Sequence, residues 1–157
     1  MSGIIGVSPD MKSGVVGAWP AGHVLQVVEG LDTGTFTAAN TNNNPDTSHT
    51  VTITPHTANA KIYVQLIGGT YGNLGDTSGA YAVQVAVKEG TTDINCRCVE
   101  THTSNSRIRV PIACGVVYSP SYTLGGSLTY NVYYMADHSI GIYSFGSRSL
   151  IVMEIKS

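Results

Sequence analysis

The residues to weigh first for chemistry are three cysteines. Cys96 and Cys98 are separated by one residue, and Cys114 follows later. In an extended chain the first two project to the same side. Their spacing is neither the CxxC of redox pairs nor that of a zinc knuckle. An odd number cannot all pair within one chain, so buried thiols packing as small hydrophobes are expected. His102, beside Glu100 and within reach of Cys96 and Cys98, carries a ligand atom, but the spacing matches no metal-site template and a polar strand-end histidine is expected instead. Asp137 and His138, in MADHSIG, read as a turn pair. GNLGDTSG lacks the lysine and following helix of a phosphate cradle. Acidic residues stand singly along the chain, so no carboxylate pair or nucleophile with its base is legible. Neither catalysis nor a cofactor is expected.

Nine tyrosines against two phenylalanines form a second bias. A tyrosine offers a flat apolar face and a hydroxyl, a combination that suits sugar recognition as well as half-exposed strand packing. Tyr71, Tyr118 and Tyr122 fall in predicted loops, with Asn73 and Asp76 beside the first. These five are the candidate ligand-binding residues, with host surface glycans as the ligand class.

The elements that must position these residues are strands. Residues 51–67, VTITPHTANAKIYVQLI, organise the rest. Val51 and Ile53 alternate with Thr50, Thr52 and Thr54, the pattern of a half-buried strand. Pro55 lacks the ladder amide and residues 56–59 suit a turn. Ile62, Val64 and Leu66 then alternate with Tyr63, Gln65 and Ile67, and Gly68 and Gly69 are expected to end that strand. Upstream, residues 23–29 read as a strand closed by Gly30, residues 34–38 as a short one around Phe36, and residues 39–48 as a polar loop. Downstream, residues 68–79 hold five glycines and read as the longest flexible loop. Residues 80–88 alternate Tyr81, Val83, Val85 and Val87 against Ala82, Gln84 and Ala86. Residues 94–101 and 107–117 read as a hairpin, with Ile108, Val110 and Ile112 inward and Pro111 marking an edge or a bulge. Residues 128–135 alternate Leu128, Tyr130, Val132 and Tyr134 with Thr129, Asn131, Tyr133 and Met135. Residues 140–145 form a shorter strand. Residues 149–156, SLIVMEIK, are apolar on both faces, which predicts a central strand or one between a sheet and a neighbouring subunit.

About ten short strands with regular turn signals and no helical period predict an all-β fold: an antiparallel β-sandwich, jelly-roll-like, with an extended N-terminal arm. At 157 residues the expected organisation is that arm, residues 1–22, and one β-sandwich domain, residues 23–157. The arm, MSGIIGVSPDMKSGVVGAWPAG, has no strand or helix period. It is too apolar for a solvated tail, and Trp19 before Pro20 gives it one large anchor, for another chain or for its own domain. Charged residues are only 11% of the chain and the formal net charge is −2, so no basic surface exists to neutralise phosphates and nucleic acid is not an expected partner. The longest apolar runs are a few residues, far short of the roughly 20 that span a bilayer as a helix, so membrane insertion is not expected. The first 22 residues lack the charged start and continuous apolar core of a secretion signal. So few charges among so much Thr, Ser and Asn predict a surface partly covered by further copies of the chain and partly solvated by hydroxyl and amide groups.

In their order, residues 4–28 (IIGVSPDMKSGVVGAWPAGHVLQVV), VTITPHTANAKIYVQL, SLTYNVYYM and the closing SLIVMEIK resemble bacteriophage structural proteins of the tail-fibre-like and virion-appendage type. The resemblance covers nearly the whole chain, and its motifs are structural. It implies a virion location, a β-rich domain that assembles as a homotrimer, and no catalytic residues. It also implies that the arm contacts other virion proteins of the capsid or tail through Ile4, Ile5, Val15, Val16 and Trp19. A start at Met1 and a length of 157 residues favour a capsid decoration or fibre protein, or a compact tail-fibre component, over a long adhesive fibre.

Overall fold

A computed structural model describes residues 20–38, 44–73, 81–102, 109–136 and 142–157. The expected attachment residues Ile4, Ile5, Val15, Val16 and Trp19 lie outside the described residues, as do Asp76 and the pair Asp137 and His138. Ten strands follow one another: β1 (Val24–Asp32), β2 (Phe36–Ala38), β3 (Asn44–Ile53), β4 (Lys61–Asn73), β5 (Tyr81–Glu89), β6 (Thr92–His102), β7 (Arg109–Tyr118), β8 (Leu128–Ala136), β9 (Ile142–Phe145) and β10 (Arg148–Ile155). They form two antiparallel sheets. The first has the order β1-β10-β4-β9-β2 with β7 also on β4, and the second has the order β3-β8-β5-β6.

Two strands of the first sheet are interrupted rather than separate. Asp32 pairs with Arg148 and Phe36 with Ser144, so β1 and β2 run on in one register along β10 and β9. The first sheet is therefore four strands wide, as is the second. The pairs β5·β6, β4·β7, β3·β8 and β1·β10 are those of one long hairpin bent at Gly90 and rolled over itself. That winding is a jelly roll, and the predicted fold class stands.

The alternation of the sequence sets which side chains meet in the middle. Ile62, Val64 and Leu66 from β4, Val83, Val85 and Val87 from β5, and Tyr130, Val132 and Tyr134 from β8 are all completely buried. β10 runs between β1 and β4, the central place that its two apolar faces predicted. Pro111 sits on β7, an edge strand among the described residues, and the Ala113 amide two residues on points to Cys98 rather than to β4, so the missing amide falls on the side away from β4.

Four expectations are corrected. Gly68 and Gly69 do not end their strand, which continues to Asn73. Both have positive φ (93° and 63°) and form a bulge in the β4·β7 ladder, where pairing shifts between Ile67 and Thr70. A Cβ on Gly68 would stand 2.6 Å from the Ser147 carbonyl oxygen, and one on Gly69 would stand 2.8 Å from that of Phe145. The glycines thus admit the neighbouring strand break rather than a loop. Gly30 does not close β1, which runs on to Asp32. Its missing side chain makes room for Val51, whose Cγ2 would lie 2.6 Å from an added Cβ. The polar loop ends earlier than predicted: β3 begins at Asn44 and contains Pro45, tolerated because β3 is an edge strand with a register shift between Asp46 and Thr50. Finally, β6 and β7 are not a hairpin, because β6 pairs with β5 and β7 with β4 in the opposite sheet. Alternation marks an inward face in either arrangement, so it could not distinguish a hairpin from a crossover.

Candidate functional site

The tyrosines expected to meet a ligand are largely consumed by the fold. Tyr71 lies in β4, not in a loop, and is fully buried, so its ring is not offered to solvent. Asn73 is the last residue of the same strand. Tyr122 is in a loop, but its hydroxyl accepts the Ala60 amide at 2.8 Å and donates to the Thr57 carbonyl. Tyr118 ends β7, and its hydroxyl donates to Glu89 Oε2 at 2.7 Å and lies 2.7 Å from the Tyr130 hydroxyl. Burial first, then the Glu89 carboxylate, push its pKa up and keep it a donor. Tyr118 lines a hollow of about 440 Å³ shared with Glu89, Asp93, Asn95, Ser119 and Ser121.

The charged residues that the structure gathers were not singled out by the sequence. Arg148 and Glu154 are completely buried at the inward positions of β10 that flank Leu150 and Val152. The Glu154 carboxylate receives the amides of His56 (3.0 Å) and Thr57 (2.9 Å), the Thr57 hydroxyl (2.9 Å) and Gln26 Nε2 (2.9 Å). Burial raises its pKa, but these donors lower it further, and the net shift is downward. It serves to pin residues 55–57, where the chain crosses from the second sheet to the first. Arg148 contacts the Asp32 carboxylate, lies 3.7 Å from Asp46 Oδ2 and donates to the Gly34 carbonyl at 3.2 Å. His49 Nε2 lies 3.0 Å from the Gly30 carbonyl oxygen. Burial lowers the His49 pKa more than Gly30 and Asp32 raise it, so the ring is held neutral. Asp32 is pushed up by burial and pulled further down by the Gly34 amide and Arg148.

Asp32, Asp46 and His49 bring three ligand atoms within 4.8 Å of one another, a spacing that could hold a cation. The guanidinium of Arg148 already lies against both carboxylates and supplies the positive charge there. The chemistry of the cluster is therefore that of a buried ion pair spanning β1, β3 and β10. Strand parity was the available signal: the alternation that buries Leu150 and Val152 also buries Arg148 and Glu154.

The feature that does not follow from the fold is the outside of the first sheet. Across β1, β10, β4 and β7, the outward positions carry Val24, Val27, Leu31, Ile151, Met153, Ile155, Tyr63, Ile67 and Val117. Leu31 is 63% exposed, Val27 55%, Val117 52% and Ile67 43%. Glu29, Gln65, Ser149 and Lys61 are interspersed among them. The outside of the second sheet is different. There Thr50 donates to Asn131 Oδ1 at 3.0 Å, Thr52 lies 3.0 Å from Thr129, and Thr54 lies 2.8 Å from Ser127. Lys88 sits over the Tyr133 ring at 4.9 Å, and Val99 is exposed.

No protein-family model matches the sequence, and no curated protein is similar to it. Among solved structures, the chain is similar to the VP2 subviral particle of infectious bursal disease virus, with a TM-score of 0.35, 12% identity, and 99% of this chain and 42% of that chain covered. It is also similar to a chain of the T13 particle of the same virus, with a TM-score of 0.34, 11% identity, and 99% and 40% covered. The chain thus spans less than half the length of these capsid-particle chains, and the likeness is a distant one.

Proposed function

We propose that this chain is a virion structural protein, a capsid decoration or fibre protein or a compact tail-fibre component, that assembles as a homotrimer on a bacteriophage particle. The observation that carries the reading is the apolar outer face of the β1-β10-β4-β7 sheet. A sandwich needs one apolar face per sheet, and contiguous exposed apolar surface beyond that marks a contact with another protein. The phage setting and the number three come from the sequence resemblance. In this reading residues 1–22 contact capsid or tail proteins through Ile4, Ile5, Val15, Val16 and Trp19. Residues 20–22 lie beside the end of β10, at the margin of that face, where Gly22 donates to the Lys156 carbonyl at 2.7 Å. The role is structural and involves no catalytic step.

Light scattering of the purified chain at micromolar concentration tests the assembly, with three times 16.5 kDa expected. A monomer mass overturns it. For the arm, full-length and arm-deleted proteins are added to particles lacking the native copy and bound copies are counted after sedimentation. Loss of binding by a folded deletion variant is expected, and full occupancy by that variant overturns the attachment role.

A second reading, recognition of host surface glycans, is favoured by the groove where Tyr118, two carboxylates and two serine hydroxyls converge. Binding on a glycan array that Asp93→Asn removes would support it. An array without signal at high protein concentration would sink it.

A further inference from the structure

Cys96 and Cys98 of β6 and Cys114 of β7 meet where the two sheets close on one another. β6 is an edge strand of the second sheet and β7 an edge strand of the first, and they pack along the same side of the sandwich. No ladder joins them there. Instead the Cys98 sulfur accepts the Ala113 amide of β7 at 3.4 Å. Cys96 Sγ stands 3.6 Å from Cys114 Sγ, and Cys98 donates a hydrogen bond to Cys114 as well. The thiols form a row with Cys114 in the middle. Cys96 is buried, whereas Cys98 and Cys114 are part-exposed, so a small oxidant has a way in.

We propose that Cys114 is the shared half of an intrachain disulfide that forms on oxidation and joins β7 to β6, with Cys96 and Cys98 as its alternative partners. Closing the 3.6 Å gap to a bond of about 2.05 Å asks for side-chain rotation within the row. The oxidant is a small-molecule disulfide such as oxidised glutathione. The Cys98 or Cys114 thiolate attacks one of its sulfurs, forming a mixed disulfide and releasing one glutathione thiolate. A neighbouring cysteine thiolate in the row then attacks the protein sulfur of that mixed disulfide. The protein disulfide forms and the second glutathione thiolate leaves. The two protons lost by the cysteines end on the two glutathiones. The protein thiols are oxidised by two electrons and the glutathione disulfide is reduced by two. If Cys98 and Cys114 pair first, attack by the Cys96 thiolate on Cys114 moves the bond inward and frees Cys98.

The row also sets the pace. The hydrogen bond that Cys98 donates to Cys114 and then burial push the Cys98 pKa up, and the contact with Cys96 and then burial push Cys114 up to about 12. Both remain thiols at neutral pH, and the thiolate is the attacking species. The bond therefore forms slowly and faster as pH rises. It connects residues 18 apart (Cys96) or 16 apart (Cys98) on strands of opposite sheets, so it clamps the sandwich edge against opening.

The test takes the reduced full-length chain, incubates it with oxidised glutathione at pH 8.5, quenches with an alkylating agent in denaturant and maps the peptides. The expected result is a loss of mass of two hydrogen atoms per chain and a Cys114 peptide linked to that of Cys96 or Cys98. One alkylated thiol should remain, with a rise in Tm of roughly 5–10 °C. Cys114→Ser, shown folded by circular dichroism, forms no bond, whereas Cys96→Ser and Cys98→Ser each still form one through Cys114. Three alkylated cysteines after oxidation, a bond between chains, or a Cys96 to Cys98 bond in place of one to Cys114 overturns the proposal. Should Cys114→Ser fail to fold, the wild-type peptide map decides alone.

Discussion

The two sheets share one core and present opposite outsides. Facing inward, β4 offers Ile62, Val64 and Leu66, and β8 offers Tyr130, Val132 and Tyr134, all excluded from solvent. Facing outward, β3 and β8 carry paired hydroxyl and amide groups, while β1, β10, β4 and β7 carry valine, leucine, isoleucine and methionine. Sandwich formation requires the inward faces to be apolar and is indifferent to the outward ones. An apolar face that the described residues leave open is what supports the proposed assembly. The first sheet is also the one with polarity reversed on its central strand, since Arg148 and Glu154 of β10 point inward while Ile151 and Met153 point outward.

The largest expected effect tests the inward side of that contrast. Val64→Asp puts an unpaired carboxylate where exposure is zero, at a cost of several kcal/mol against a total stability of about 5–15 kcal/mol. The variant should not fold, whereas Gln65→Asp, one residue along and facing outward, should change Tm little. Equal thermal shifts for the two would mean that the faces of β4 are misassigned.

Next comes the outward side. Leu31→Lys with Val117→Lys charges both margins of the apolar face and should reduce the assembly to a 16.5 kDa monomer with an unaltered circular dichroism spectrum. Placing Thr50→Lys and Gln84→Lys on the hydroxyl face should leave the native mass in place. If the second pair dissociates the assembly and the first does not, the contact lies on the opposite sheet.

The buried charges give a smaller effect with a defined sign. His49 is held below its usual 6.5, so the unfolded chain takes up its proton first as pH falls and stability declines below about pH 6.5. Asp32 and Glu154 are held below their usual 3.8 and 4.5. Their contribution is present above those values and is lost as pH falls through the folded pKa. Tm should therefore fall in two stages on acidification, and His49→Gln should remove the first stage while keeping the second. A Tm in the wild type that is flat from pH 7 to 5.5 would contradict the buried, neutral histidine.

How much of this was legible in the sequence follows from what strand alternation can carry. It marked the alternating sets of β4, β5 and β8 and allowed the central place of β10 and the edge place of Pro111, because each is a local matter of period two. It could not say which strands pair, so residues 94–101 and 107–117 read as one hairpin when they lie on two sheets. It placed Tyr71 in a loop because Gly68 and Gly69 look like an end. Only the approach of residues 145–148 explains why glycine stands inside a continuing strand. The ion pairs of Arg148 and the nest around Glu154 join residues about a hundred positions apart. Parity placed both side chains inward without naming what would meet them there.

The smallest expected effect lies in the hydroxyl ladder, and it bears most directly on what an outward face is for. Thr50 with Asn131, Thr52 with Thr129, and Thr54 with Ser127 are solvent-exposed bonds of 2.8–3.0 Å, each replaceable by bonds to water. Thr52→Val and Thr129→Val keep the β-branched shape that the strand favours. Singly and together they should move stability by no more than about 0.5 kcal/mol, with a coupling below about 1 kcal/mol in a double-mutant cycle. A larger coupling would make the ladder a stabilising element rather than a solvating one. The more informative readout is association. Thr50→Val, Thr52→Val and Thr54→Val combined turn the outward side of β3 apolar without touching the core, so the second sheet comes to resemble the first. Light scattering should then show species larger than the native assembly, growing with concentration. If the triple variant keeps the native mass at millimolar concentration, exposed apolar side chains on a flat sheet do not suffice to drive association here. The assembly assigned to the first sheet would then have to rest on shape and on the arm.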